Sequence, residues 1–197
     1  MLNIYIAKVN DKVLDLKEFL EEEQILKANK YKQIDDYKRS ILSSTLLNFI
    51  LKKNELSISD VSTNEFGKPF VKTNEIYFNI SHSGNYVVCA TNSCDIGIDI
   101  EKVRCINDLV LSKCFTKEEQ EYIKSDLDFT KVWTLKESYI KCLGTGLRTR
   151  LNSFSVIKEN SISKVNDLVF TSLKLDNYVL SICTKNISKI KIHYLDF

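Results

Sequence analysis

The sequence predicts an α+β fold in two lobes that meet near residue 95, residues 1–95 forming the first lobe and 96–197 the second. Three observations carry that prediction. Stretches with helical and with strand periodicity are mixed in a similar way in both halves instead of segregating into one. No low-complexity linker divides the chain. Its 197 residues suffice for one good-sized domain or for two small ones packed closely.

The elements follow in order. Leu2-Asn3-Ile4-Tyr5-Ile6 alternates like a strand, and the apolar positions between Asp15 and Lys27 suit one helix or two short ones. A stronger helix is predicted from about Asp36 to Lys52, with Ile41, Leu42, Leu46, Phe49 and Ile50 on its buried stripe. Lys38 and Arg39 fall at its start. The macrodipole makes that end positive, so two cations there are unfavourable unless an anion joins them; solvated charge is the plainer alternative. Gly67-Lys68-Pro69 reads as a fixed turn. Ile76–Ile80 and Tyr86–Thr91 read as two strands of a hairpin, with Ser81–Asn85 as its turn and His82 near the tip.

Cys94 to Val103 is a strand in which Ile96, Ile98 and Ile100 face one side and Gly97, Asp99 and Glu101 the other. Two residues of strand rise separate the Asp99 and Glu101 Cα atoms by roughly 7 Å, so both carboxylates can converge on one hard cation. Gly97 leaves room for something bulky to approach. Thr116-x-x-Glu119 fits a capping box, which explains Glu119 without any metal. On the following helix Trp133, Glu137 and Lys141 share one stripe; an ordinary Glu-to-Lys surface pair would explain the last two. Gly144-Thr145-Gly146 ends that helix. Phe154–Ile157, Leu168–Phe170, Tyr178–Ile182 and Ile190–Leu195 are strand-like, and His193 lies on the polar face of the last.

Bulk properties exclude several function classes. The formal charge of +2 gives no global field for nucleic acid or for a membrane surface, so any anion site must be local. No apolar run approaches the roughly 18 residues of a spanning helix, and the N-terminus lacks a basic segment followed by an apolar core, which predicts a cytoplasmic protein. The six cysteines form no CxxC pair and no zinc pattern with the two histidines, so they read as reduced packing residues.

In order, Gly67-Lys68-Pro69, Phe78-Asn79-Ile80-Ser81-His82-Ser83, Gly97-Ile98-Asp99-Ile100-Glu101, Phe115 to Glu119, and Trp133-x-x-Lys136-Glu137-Ser138-x-x-Lys141 closely resemble the 4′-phosphopantetheinyl transferases of the surfactin-synthetase-activating type. Leu151 to Val156 shares the likeness. The resemblance implies two pseudo-twofold-related α+β lobes with the active site in the cleft between them, coenzyme A as donor, Mg²⁺ as cofactor, and an apo acyl or peptidyl carrier protein as partner. It implies transfer of phosphopantetheine to a carrier serine with release of 3′,5′-adenosine bisphosphate.

Residue by residue, the resemblance makes Asp99, Glu101 and Glu119 the metal ligands, Glu119 being required to choose between metal and helix cap. Glu137 becomes the general base, and Lys136 and Lys141 hold phosphate oxygens. His82, with Ser81 beside it, meets a coenzyme phosphate, while Lys68 and Arg39 recognise the 3′-phosphate. Arg148-Thr149-Arg150 replaces a proline often found there in relatives, and the basic N-terminal contacts are not assignable among Lys27, Lys30, Lys32 and Lys38. A monomer is expected, since one chain supplies both lobes. The alternatives are a non-catalytic coenzyme A-binding protein and a metal-dependent phosphoester hydrolase.

Overall fold

The alternation of Ile96, Ile98 and Ile100 is the origin of the architecture. In the structure, a computed structural model that describes residues 1–73, 76–187 and 189–197, these three side chains are fully buried on one face of strand β6 (Ile96–Lys102). They pack with Leu2, Ile4 and Ile6 of β1 (Leu2–Lys8), Val88 and Ala90 of β5 (Tyr86–Asn92), and Leu180 and Ile182 of β10 (Tyr178–Thr184). Burying each aliphatic side chain contributes about 1.5–3 kcal/mol. This shared core joins the two lobes.

The opposite faces of the same strands pack on helices. Tyr5, Ala7, Val87 and Cys89 meet Ile41, Leu42, Leu46, Ile50 and Leu51 of helix α2 (Ile34–Lys53). Cys183 of β10 meets Tyr139, Ile140 and Cys142 of the second long helix. The layers therefore run helix, sheet, sheet, helix.

Each lobe builds its layers in the same order. The first runs β1, α1 (Glu22–Ala28), α2, the small hairpin β2 (Val61–Thr63) and β3 (Pro69–Val71), then β4 (Tyr77–Ser83) and β5. The second runs β6, α3 (Asp108–Cys114), α4 (Lys117–Tyr122), α5 (Asp126–Leu143), the small hairpin β7 (Ile157–Lys158) and β8 (Ser161–Ile162), then β9 (Val169–Leu175) and β10. The strand orders β1-β5-β4 and β6-β10-β9 correspond, and every pairing within them is antiparallel. The last strand, β11 (Ile190–Leu195), crosses back and pairs in parallel with β1, so residues placed by sequence in the second lobe complete the sheet of the first.

Several expectations are corrected. Helix α2 begins at Ile34, so Asp35 and Asp36 occupy its first turn and the predicted anomaly at Lys38 and Arg39 disappears. Lys38 pairs with Asp11, and Arg39 pairs with Asp36. Ser81, His82 and Ser83 belong to β4, leaving only Gly84 and Asn85 for the turn. The Asp15–Lys27 segment, by contrast, takes the second of its two expected forms, two short helices: a 3₁₀ helix, Asp11–Phe19, and α1. Phe154 to Val156 is not strand, and α3 has no counterpart among the predicted elements.

Helix α5 crosses β6 at very close range. A Cβ on Gly97 would collide with the backbone carbonyl of Ser138 and the amide of Cys142, so glycine is required for helix and strand to touch. The bulky object that Gly97 admits is therefore the protein's own helix. Ser125 caps the helix N-terminus, and Gly144, in the left-handed conformation at φ +68°, ends it. Among the described residues, no helix is long and apolar enough to cross a membrane.

Candidate active site

With the isoleucines of β6 turned inward, Asp99 and Glu101 face the α5 side, at the seam where β4 of one lobe meets β6 of the other. Trp133, Glu137 and Lys141 approach them from α5, and Ser81 and His82 from β4. Together with Ile80 these residues line a cleft of about 360 Å³. Strand period and helix period thus deliver one convergent polar site from three elements.

Asp99 is 4% exposed. Its Oδ1 accepts from Lys141 Nζ at 2.6 Å and from Ser81 Oγ at 2.8 Å, and the Lys141 ammonium also donates to Ser81 Oγ at 2.9 Å. Lys141 therefore pairs with Asp99 across elements, in place of the surface pair with Glu137 that spacing alone suggests. Asp99 Oδ2 is buried and has no hydrogen-bond partner among the described residues. Such an oxygen costs free energy unless something else binds it.

The neighbouring carboxyls carry the same imbalance. Desolvation, followed by the Asp99 charge, raises Glu101 above the ordinary carboxylate range. Desolvation, again followed by Asp99, raises Glu137. His82 is lowered, first by desolvation and then by the charges of Arg39 and Lys141. The cleft holds more carboxylate than Lys141 can neutralise. A cation fits that excess, although no described group of three His, Cys, Asp or Glu side chains is already arranged as a metal cage. Mg²⁺ does not need one: it keeps several waters and uses one or two carboxylates plus substrate phosphates.

Glu119 and Lys136 lie elsewhere. Glu119 is fully buried, accepts from Thr116 N and Val156 N, and is bound by Lys136 Nζ at 2.7 Å through both carboxylate oxygens. Lys136 also donates to the Phe154 carbonyl at 2.7 Å. Desolvation lowers the Lys136 pKa, a trend that Glu119 opposes. Both Glu119 oxygens and the Lys136 ammonium are thus engaged by protein partners, and neither residue is among those that line the cleft.

Lys68 is also apart from the cleft. Its ammonium donates to the carbonyls of Cys142 and Ile96 at 2.8 and 3.3 Å, closing the end of α5, beside a separate cavity lined by Asn64 and Asp95. Arg39 comes nearer, donating to the Gly84 carbonyl at 2.9 Å at the end of the strand that carries His82.

Sequence reasoning missed Arg104. Its guanidinium lies 4.8 Å from the ring centroid of Trp133 and its charge reaches Glu101 and Glu137. An arginine just past an acidic strand was the available signal.

Residues 95–183 match the 4′-phosphopantetheinyl transferase superfamily, and residues 9–94 match a family described as 4′-phosphopantetheinyl transferase, N-terminal. The chain is 37% identical over 148 residues to the 4′-phosphopantetheinyl transferase Sfp of Bacillus subtilis strain 168, covering 70% of this chain and 66% of that protein. It is 34% identical to the 4′-phosphopantetheinyl transferase ffp of Bacillus subtilis, covering 72% and 67%. The 4′-phosphopantetheinyl transferase gsp of Aneurinibacillus migulanus is also 34% identical, with 67% and 59% covered. The matched stretches thus span about three fifths to two thirds of these relatives' lengths.

Proposed function

We propose that this chain, which belongs to the 4′-phosphopantetheinyl transferase superfamily, transfers 4′-phosphopantetheine from coenzyme A to a serine of an apo carrier protein. The observation that carries the reading is the convergence of Asp99, Glu101, Glu137 and Lys141 in one cleft, with a buried Asp99 oxygen left unpartnered.

In this reading Asp99 and Glu101 would hold Mg²⁺. When bound, the ion offsets negative charge on the coenzyme's pyrophosphate. Glu137 accepts the serine proton; its raised pKa brings it closer to the working pH than an ordinary carboxylate. The serine oxygen forms a bond to the β-phosphorus, and the bond from that phosphorus to the bridging oxygen breaks. That oxygen leaves with 3′,5′-adenosine bisphosphate. Lys141 supplies an ammonium to the phosphate oxygens, and Ser81 and His82 flank it. Arg39, next to His82, suits a more distant phosphate of the nucleotide.

The carrier is an acyl or a peptidyl carrier protein. A monomer suffices, because both sides of the cleft come from one chain. Free thiols at all six cysteines suit a reducing, cytoplasmic setting.

Chromatographic measurement of adenosine bisphosphate release from coenzyme A, with and without apo carrier, tests the reaction. Release that requires the carrier supports transfer. Release without carrier indicates a hydrolase, and coenzyme A binding without release indicates a binding protein.

A further inference from the structure

The two lobes meet along β4 and β6 without using ladder hydrogen bonds between these strands. Side chains of β4 take the place of a backbone partner. Asn79 Oδ1 accepts from the Ile98 amide at 2.9 Å, Ser81 Oγ from the Ile100 amide at 3.4 Å, and Ser83 Oγ from the Lys102 amide at 3.2 Å. Alternate residues of one strand thus satisfy alternate amides of the other, because both have period two.

Two of these rungs also reach the site. A serine hydroxyl has one proton to donate and lone pairs to accept with. Accepting from β6 leaves the proton for a carboxylate: Ser81 donates to Asp99 at 2.8 Å, and Ser83 donates to Glu101 Oε2 at 2.9 Å. Ser83 lies outside the residues that line the cleft. Its hydroxyl nonetheless ties the second acidic side chain to the opposite lobe.

We infer that Ser83 is a positioning residue for this site: by bridging the Lys102 amide and the Glu101 carboxylate, it holds Glu101 in the orientation that the divalent cation and the coenzyme phosphates require. Groups that orient a metal-binding side chain are worth about 10–100-fold in metal affinity or activity. The inference rests on the reading of Asp99 and Glu101 as the cation site.

A double-mutant cycle in the full chain tests it, with Ser83→Ala, Glu101→Gln and the double variant. The readouts are kcat, the KM for coenzyme A, and the dissociation constant of Mn²⁺ alone by calorimetry. Ser83→Ala should lower kcat about tenfold and weaken Mn²⁺ by a similar factor, with KM changed less than about twofold. In the Glu101→Gln background the same change should add less than about twofold, since the group it orients is gone. Ser83→Thr, which keeps the hydroxyl, should recover most of the loss. Equal effects of Ser83→Ala in both backgrounds would overturn the inference. So would unchanged Mn²⁺ binding in Ser83→Ala, or a folded Ser83→Thr protein as impaired as the alanine variant. If Glu101→Gln itself changed neither turnover nor Mn²⁺ binding, the cation site assigned here would fail, and the role of Ser83 with it.

Discussion

The ammonium of Lys136 lies 2.7 Å from both carboxylate oxygens of Glu119, with both side chains at 0% exposure. This pair, together with the Val156 amide and the Phe154 carbonyl, pins the segment after α5 against α4. Removing one charge leaves the other buried and uncompensated, which costs about 3–5 kcal/mol. Glu119→Gln should therefore lower the urea midpoint substantially, while the folded protein keeps its affinity for Mn²⁺. A variant of normal stability that no longer binds Mn²⁺ would restore Glu119 to the metal site.

Gly97 presents a comparable structural demand. Its missing Cβ is the space that the α5 backbone occupies at Ser138 and Cys142. Gly97→Ala should destabilise the fold by about 1–3 kcal/mol, and the displaced helix should misplace Glu137 and Lys141. Thermal unfolding and kcat should fall together. A stable Gly97→Ala protein with full activity would refute the close approach.

Much of this site was legible because each element keeps its own period. The isoleucine alternation of β6 and the Trp133-Glu137-Lys141 stripe of α5 indicated which faces carry the candidate residues, and the structure places those faces against one another. What local pattern could not supply was partner choice. Thr116-x-x-Glu119 is compatible with a cap or a ligand, and its buried partner Lys136 is brought in only by tertiary packing. Ser81 and Ser83 have turn-like propensities, yet β4 extends through them because their side chains find β6 amides. The two cations at α2 looked unbalanced only because the helix begins two residues earlier, with Asp35 and Asp36 in its first turn. Nothing in Ile190–Leu195 indicated that its neighbour would be β1.

The crowding of carboxyls predicts a pH effect on the metal-free protein. Burial and the Asp99 charge raise both Glu101 and Glu137 in the folded state. The folded chain therefore keeps these protons to higher pH than the unfolded chain does. Stability attributable to the two groups is present at acidic pH and is lost as pH rises from the ordinary carboxylate range through the raised values. Without metal, Glu101→Gln should raise the melting temperature at pH 7.5 by a few degrees, about 2–4 °C, and should have a smaller effect near pH 4.5. Mg²⁺ should stabilise the wild type more than the variant. A drop in melting temperature for Glu101→Gln at pH 7.5 without metal would contradict the crowding.

Glu137 has a different signature. Glu137→Gln keeps the shape of the side chain and removes the proton acceptor. It should reduce kcat by about 10²–10⁴-fold and change the dissociation constant of coenzyme A far less. The wild-type rate should rise with pH through the raised Glu137 pKa, and the variant should lose that limb. Weakened coenzyme binding with normal kcat would make Glu137 a binding contact instead of the base.

The most direct measurement is intact mass spectrometry of apo acyl and apo peptidyl carrier proteins after incubation with this protein, coenzyme A and Mg²⁺, with a matched EDTA control. A gain of one phosphopantetheine on at least one carrier, lost with EDTA and strongly slowed by Glu137→Gln, is the predicted result. A gain that persists unchanged in EDTA, or no gain on either carrier from protein that binds coenzyme A, would contradict the account.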